Sequence, residues 1–163
     1  MSKIEEEICR IFIGKGTLKG NFLPQVPVGL EEIRKQYQKL HLEEITESEF
    51  RMAGGVLSKK IDLLCVTPPI DGLEITQEVL IPKPLRLRSW LNLREKLKGR
   101  KVWIFEAKKR LNLTALGQVI AYKVLFEEDN PEVEVEGIGI LCKETDPLLE
   151  HVCEKLNIKV YKV

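Results

Sequence analysis

A chain of 163 residues, 44% of them apolar and without a long polar tract, is long enough to bury one sizeable core and short for two, so a single domain over 1–163 is expected. Its apolar runs are interrupted within a few residues and its N-terminus opens on Lys3 and three glutamates, so neither a membrane span nor a signal peptide is read and a cytoplasmic protein is expected. The net charge of +1 conceals a strong segregation of charge along the chain.

Taken in order, Ile4, Ile8, Ile11 and Phe12 recur at helical spacing and predict an amphipathic helix over 3–13, stopped by Gly14, Gly16 and Gly20. Pro24 and Pro27 mark a loop. Leu30, Ile33, Tyr37 and Leu40 predict a second helix whose first turn is favourably acidic with Glu31 and Glu32. Gly54-Gly55, between residues 45–52 and 56–66, predicts a hairpin whose second arm closes on Ile61-Asp62-Leu63-Leu64-Cys65-Val66. The stretch 67–101 is too long for a simple connection and must carry structure or a role of its own. Leu85 to Arg88 alternates like a strand, while Leu87, Trp90, Leu91, Arg94 and Leu97 fit a short helix with a basic flank ended by Gly99, the reading adopted.

Val102-Trp103-Ile104-Phe105 is a continuous apolar run, as in a central strand covered on both faces. Glu106 and Lys108 follow with the same parity, so in extended backbone they project from one face about 7 Å apart. Residues 113–126 are apolar almost all round, which predicts a buried helix, with Thr114, Gln118 and Tyr122 forming one narrow polar stripe at i, i+4 and i+8. Residues 133–142 read as a strand loosened by Gly137 and Gly139. Asp146 and Pro147 suit the N-cap and first residue of a helix over 147–156, and 158–163 closes as a short strand. Helices, then three strands, then alternating helix and strand describe an α/β domain with a mixed sheet flanked by helices.

Cys9, Cys65, Cys142 and Cys153 are scattered, each in an apolar context, and read as small buried hydrophobes; the alternative of a four-cysteine iron–sulfur cluster lacks the close spacing such clusters show. His41 and His151 are isolated and read as solvent-facing. Arg86, Arg88, Arg94, Lys96 and Lys98 lie in a run of bases opposed only by Glu95, whereas residues 127–136 carry six acids and no base. Such a basic run suits phosphates, and its ordinary alternative is a solvated helix face.

Asp62, Glu106 and Lys108 are two carboxylates and a lysine at the ends of apolar strands, a set able to hold a divalent metal and an attacking water against a phosphodiester. Each has an ordinary explanation taken singly: a turn aspartate, a solvated Glu-x-Lys pair, a glutamine bonded to backbone, a core tyrosine. Together, Asp62, then Glu106-Ala107-Lys108, then Gln118-x-x-x-Tyr122 resemble the PD-(D/E)XK nuclease superfamily, and the last signature resembles its RecB-like branch, whose members process DNA in recombination, repair and CRISPR-associated systems. The resemblance runs from about Ile45 to the C-terminus; Ile61 stands where proline is common, and the gap before Glu106 implies the basic insertion.

The resemblance implies a restriction-endonuclease-like fold and a metal-dependent deoxyribonuclease. Asp62 and Glu106, with the Ala107 carbonyl, would ligate Mg²⁺ or Mn²⁺; Lys108 would position water and offset phosphate charge; Gln118 and Tyr122 would hold these groups or a nucleotide in register. An early helix often adds another acid, and Glu5, Glu6, Glu7, Glu31 and Glu32 compete for that role. DNA is the expected partner, and such enzymes suggest a homodimer, although no dimer surface is legible in the sequence. The competing function is a non-catalytic nucleic-acid-binding or assembly protein on the same fold.

Overall fold

Ser2 and Glu5 start the first helix reciprocally: the Ser2 hydroxyl accepts from the Glu5 N–H while the Glu5 carboxylate accepts from the Ser2 N–H. In the computed structural model, which describes residues 1–41, 46–71 and 87–163, helix α1 (Lys3–Gly14) follows this cap. Its Ile8, Cys9 and Phe12 pack on Phe22, Leu63, Phe105 and Leu141 across one face of a sheet.

The stretch read as a proline-marked loop is a strand. β1 (Asn21–Val28) buries Phe22, Leu23, Val26 and Val28, and lies at the edge of the sheet. An edge strand tolerates proline better than a central one, because its outward N–H positions have no partner strand. Helix α2 (Leu30–His41) comes next, its first amides held by a distant carboxylate: Asp129 accepts from the N–H groups of Gly29, Leu30 and Glu31 at 2.8, 3.1 and 2.9 Å.

The hairpin expected at Gly54-Gly55 is replaced by helix α3 (Glu47–Leu57). Thr46 and Glu49 cap each other at its start. A Cβ on Gly54 would lie 2.9 Å from the Leu87 side chain and 3.2 Å from that of Leu30, so this glycine serves close packing between helices instead of a turn. Strand β2 (Lys59–Thr67) follows directly. Within the stretch 67–101, α4 (Leu87–Arg94) and one 3₁₀ turn (Glu95–Leu97) bear out the helical alternative for these residues. Arg86 lies outside the described residues.

The remaining elements follow the sequence expectation closely: β3 (Lys101–Arg110), α5 (Leu113–Asp129), β4 (Glu134–Glu144), α6 (Pro147–Lys155) and β5 (Ile158–Lys162). Asp146 caps α6 by accepting from the N–H groups of Leu148 and Leu149. The five strands lie in the order β1-β2-β3-β4-β5, antiparallel between β1, β2 and β3 and parallel from β3 to β5. Among the described residues the architecture is thus a five-stranded mixed sheet flanked by helices.

Helix α5 departs from its expected burial. Ala115, Val119, Tyr122 and Phe126 are buried, but Leu113 is 71% and Val124 50% exposed. α5 and α6 cover the same sheet face, opposite α1, since Val119, Phe126 and Cys153 join one core with Ile104, Ile140 and Trp90. The cysteines are free and divide between the faces, Cys9 and Cys65 under α1 and Cys142 and Cys153 on the other side. Among the described residues, no helix is long and apolar enough to cross a membrane.

Candidate active site

The antiparallel register sets Leu63 opposite Phe105, so Asp62 on β2 stands beside Glu106 on β3. Asp62 Oδ2 accepts from the Ala107 N–H at 3.0 Å, which ties the aspartate to the strand that carries the glutamate. Glu106 is 1% exposed and Asp62 6%, so two carboxylates share a nearly dry position. Lys108 Nζ lies 2.6 Å from Glu106 Oε1 and 3.0 Å from Glu5 Oε1. Of the five acids competing to join the site, Glu5 is therefore the one that reaches it. It can do so because its capping role fixes the first turn of α1 at the end of the sheet.

On the opposite flank, Gln118 Nε2 donates to the Tyr122 hydroxyl at 3.1 Å along one face of α5. Gln118 Oε1 and Glu106 Oε2 are buried with no hydrogen-bond partner among the described residues. Gln25 on β1 completes the set: its Nε2 donates to Asp62 Oδ1 at 2.9 Å. The residue has φ +53°, a left-handed conformation unfavourable for a side chain other than glycine's, between the pairs Pro24–Leu63 and Val26–Ile61. Nothing in the sequence singled Gln25 out, beyond its being a lone amide in an otherwise apolar run.

Electrostatics follow from burial. Burial and the neighbouring Asp62 charge push Glu106 up to about 7, with Lys108 opposing them. Asp62 is raised too, by burial first, although the Ala107 N–H pulls the other way. Burial works against the Lys108 ammonium, yet Glu106 and Glu5 outweigh it and hold its pKa above the ordinary lysine range. Burial also raises Glu5, but the Ser2 amide and Lys108 overcome it and leave this carboxyl low. Burial, then the charge of Glu106, raises the Tyr122 hydroxyl, so the tyrosine senses the carboxylates.

Oxygen donors dominate this position, and the partnerless Glu106 Oε2 is an acceptor that a cation would satisfy, as hard divalent ions require. A second positive charge beside Asp62 and Glu106 would also relieve their mutual repulsion. The residues therefore fit a Mg²⁺ or Mn²⁺ ion chemically. Among the described residues, however, no group of three or more His, Cys, Asp or Glu side chains is arranged to hold one, and Lys108 bridges Glu106 and Glu5.

The end of the basic segment, from Lys98 to Lys101, is not brought to these groups. Lys101 begins β3, five residues before Glu106 and about 17 Å away at strand spacing. Just before it, Lys98 pairs with Glu132 at 2.8 Å and with Glu95 at 3.4 Å, while Lys101 pairs with Glu134 at 3.3 Å. The acidic stretch thus answers the basic one across the start of the strand. Arg94 is half-buried, Lys96 is exposed, and the Arg88 side chain lies outside what the structure describes. Comparison with known protein families, with curated proteins and with solved structures found no match.

Proposed function

We propose that this protein is a metal-dependent deoxyribonuclease of the PD-(D/E)XK type, close to the RecB-like branch, with a restriction-endonuclease-like arrangement of its sheet. One observation carries the reading: two adjoining buried carboxylates on neighbouring strands, with a lysine ammonium 2.6 Å from one of them. A core built only for stability gains little from such a cluster, since desolvating charges costs more than a well-packed apolar replacement.

Asp62 and Glu106, with the Ala107 carbonyl, would hold Mg²⁺ or Mn²⁺. The bound ion would supply charge that activates water and neutralises a phosphodiester. Lys108 brings a cation to the phosphate and, released from Glu106, can orient the incoming water by hydrogen bonding. Glu5 keeps the lysine aimed along the strand end. Gln25 fixes the rotamer of Asp62, and Gln118 with Tyr122 closes the α5 flank. Lys96 and Lys98, with Arg86, Arg88 and Arg94, would contact DNA away from the reacting bond.

Labelled single-stranded, duplex and branched DNA, and RNA, incubated with the protein with and without Mg²⁺ or Mn²⁺, tests this directly. Cleavage should require the metal and DNA, and should vanish in Asp62→Ala and Lys108→Ala variants that remain folded. DNA binding without cleavage would return the chain to a nucleic-acid-binding or assembly role.

A further inference from the structure

Strand β5 ends the sheet, and among the described residues no strand pairs with its outer edge. Its backbone orientation is fixed by β4. The Val163 N–H donates to the Cys142 carbonyl at 2.9 Å, and a Cβ on Gly139 would lie 3.1 Å from the Lys159 carbonyl oxygen, so odd-numbered residues turn their amides and carbonyls toward β4. Alternation then points those of Ile158, Val160 and Lys162 outward. Side chains alternate as well: Ile158 and Val160 pack with the core under α5 and α6, whereas Tyr161 and Val163 pack on the α1 side. Between α6 and this strand lies a cleft of about 300 Å³ lined by Glu150, Glu154, Asn157, Ile158, Lys159 and Val160. No residue of β4 or α5 lines it, so it opens on the free side of the sheet.

We propose that this edge is a docking site for an extended, basic segment of another protein, which adds a strand beside β5 and lays lysine or arginine side chains in the cleft. Strand addition supplies partners for the outward N–H and C=O groups of Ile158, Val160 and Lys162, and the cleft reads alternate side chains. The spacing selects the sequence pattern. Glu150 and Glu154 are four residues apart on α6, about 6 Å along the helix. Alternate residues of an extended segment are about 7 Å apart. Basic residues at i and i+2 therefore meet both carboxylates from one face, and the residue between them falls on the α1 side near Tyr161. Long apolar stems let their charges reach the helix, which lies a layer above the strand.

Charge decides the occupant. Glu150 and Glu154 are exposed and have no ion-pair partner among the described residues, whereas Glu132, Glu134 and Glu144 each have a lysine. Lys159 alternates with Ile158 and Val160, so its side chain takes the α1 face; Lys162 shares the α6 face but lies two residues past the cleft. These lysines keep the edge from pairing with apolar strands indiscriminately. A second copy of this chain, paired edge to edge across a two-fold axis, would set two acidic flanks of α6 against each other; a basic segment meets them with opposite charge. The edge lies two strands from β3, which carries Glu106 and Lys108, so the docking site is independent of the proposed activity.

Fluorescence anisotropy of the full chain with a short labelled peptide of alternating lysine and valine, capped at both ends, tests the site. Binding should saturate with a Kd below about 1 mM. A peptide of alternating glutamate and valine should bind at least about tenfold more weakly, and Glu150→Lys combined with Glu154→Lys should reverse that preference while leaving the thermal midpoint near wild type. N-methylation of two adjacent central amides of the lysine peptide, which removes strand pairing but not charge, should also weaken binding at least about tenfold. Hydrogen exchange at the amides of Ile158, Val160 and Lys162 should slow when the unmodified peptide binds. Absence of saturable binding, equal binding of the two peptides, or indifference to the glutamate exchange overturns the proposal. Binding that survives N-methylation and leaves those amides unprotected overturns it too, as does an edge-paired dimer that already protects them in the free chain.

Discussion

Glu106→Gln should make this protein more stable above neutral pH even as it removes activity. Burial and Asp62 raise the folded-state pKa of Glu106 from its ordinary 4.5 to about 7. Between those values the folded protein binds a proton that the unfolded chain has released, so stability falls as pH rises through this window. Below about 4.5 the proton is held in both states and nothing is lost; above about 7 the loss is complete. At about 1.4 kcal/mol per pH unit, the gap corresponds to about 3 kcal/mol. Glutamine keeps the shape, carries no charge, and leaves Lys108 its second partner, Glu5. Thermal melts of both proteins from pH 5 to 8.5 in EDTA should therefore nearly coincide at the acid end and separate by roughly 6–12 °C at the alkaline end for a domain of this size. Adding Mg²⁺ at pH 8 should raise the wild-type midpoint and close part of the difference, since the ion would bind only where the carboxylate remains. A variant that melts at or below the wild-type temperature at pH 8 refutes the premise that a buried charge is held here at a cost.

Three further outcomes follow from the same geometry. Gln25→Ala strips a donor from Asp62 and should cost about 1–2 kcal/mol in a melt; Gln25→Gly should cost less, because glycine adopts φ +53° without a clash, yet both should slow cleavage, and equal activity in the two variants and wild type would remove Gln25 from the site. Asp129→Ala orphans three amides at the start of α2 and should lower stability by about 3 kcal/mol, read by denaturant titration, with Asp129→Asn milder. Replacing Lys96 and Lys98 by glutamine should reduce the slope of log affinity against log salt by about 1 to 2 in a DNA-binding titration; an unchanged slope would leave Lys98 to its partners Glu95 and Glu132.

Much of the domain was legible because periodicity is written locally. Ile8 and Phe12 in α1, the apolar runs of β2 and β3, and the Asp146-Pro147 start of α6 owe their structure to neighbours a few residues away, which a sequence displays. The misreadings share a cause. Pro24 and Pro27 signal a break unless the strand is known to be at an edge, and Gly54-Gly55 signals a turn unless Leu87 and Leu30 are known to press against it. In both cases a distant partner overrides the local preference. The candidate site divides similarly. Asp62, Glu106 and Lys108 stood out as charges ending apolar strands, and Gln118 with Tyr122 as a polar stripe on an apolar helix. Glu5 could not be separated from its four rivals, because only contact with Lys108, 103 residues away, selects it. The outer face of α5 reads as core in the sequence because an apolar stripe has one appearance there whether it meets the protein's own interior or the surroundings.

The Asp129 cap has a temporal consequence. Its three hydrogen bonds span 98 to 100 residues, joining the last turn of α5 to the first of α2. On the ribosome, at about 5–20 residues per second, α2 emerges roughly 5–20 s before the carboxylate that closes its N-terminus has been made. Until then those amides can bond only to water, and the nascent helix frays from its first turn. The N-terminal third of the chain, which supplies both Glu5 and Gln25, is thus translated first, whereas the carboxylate that caps α2 follows 98 to 100 residues later, so this cap carries the entropic cost of closing a long loop.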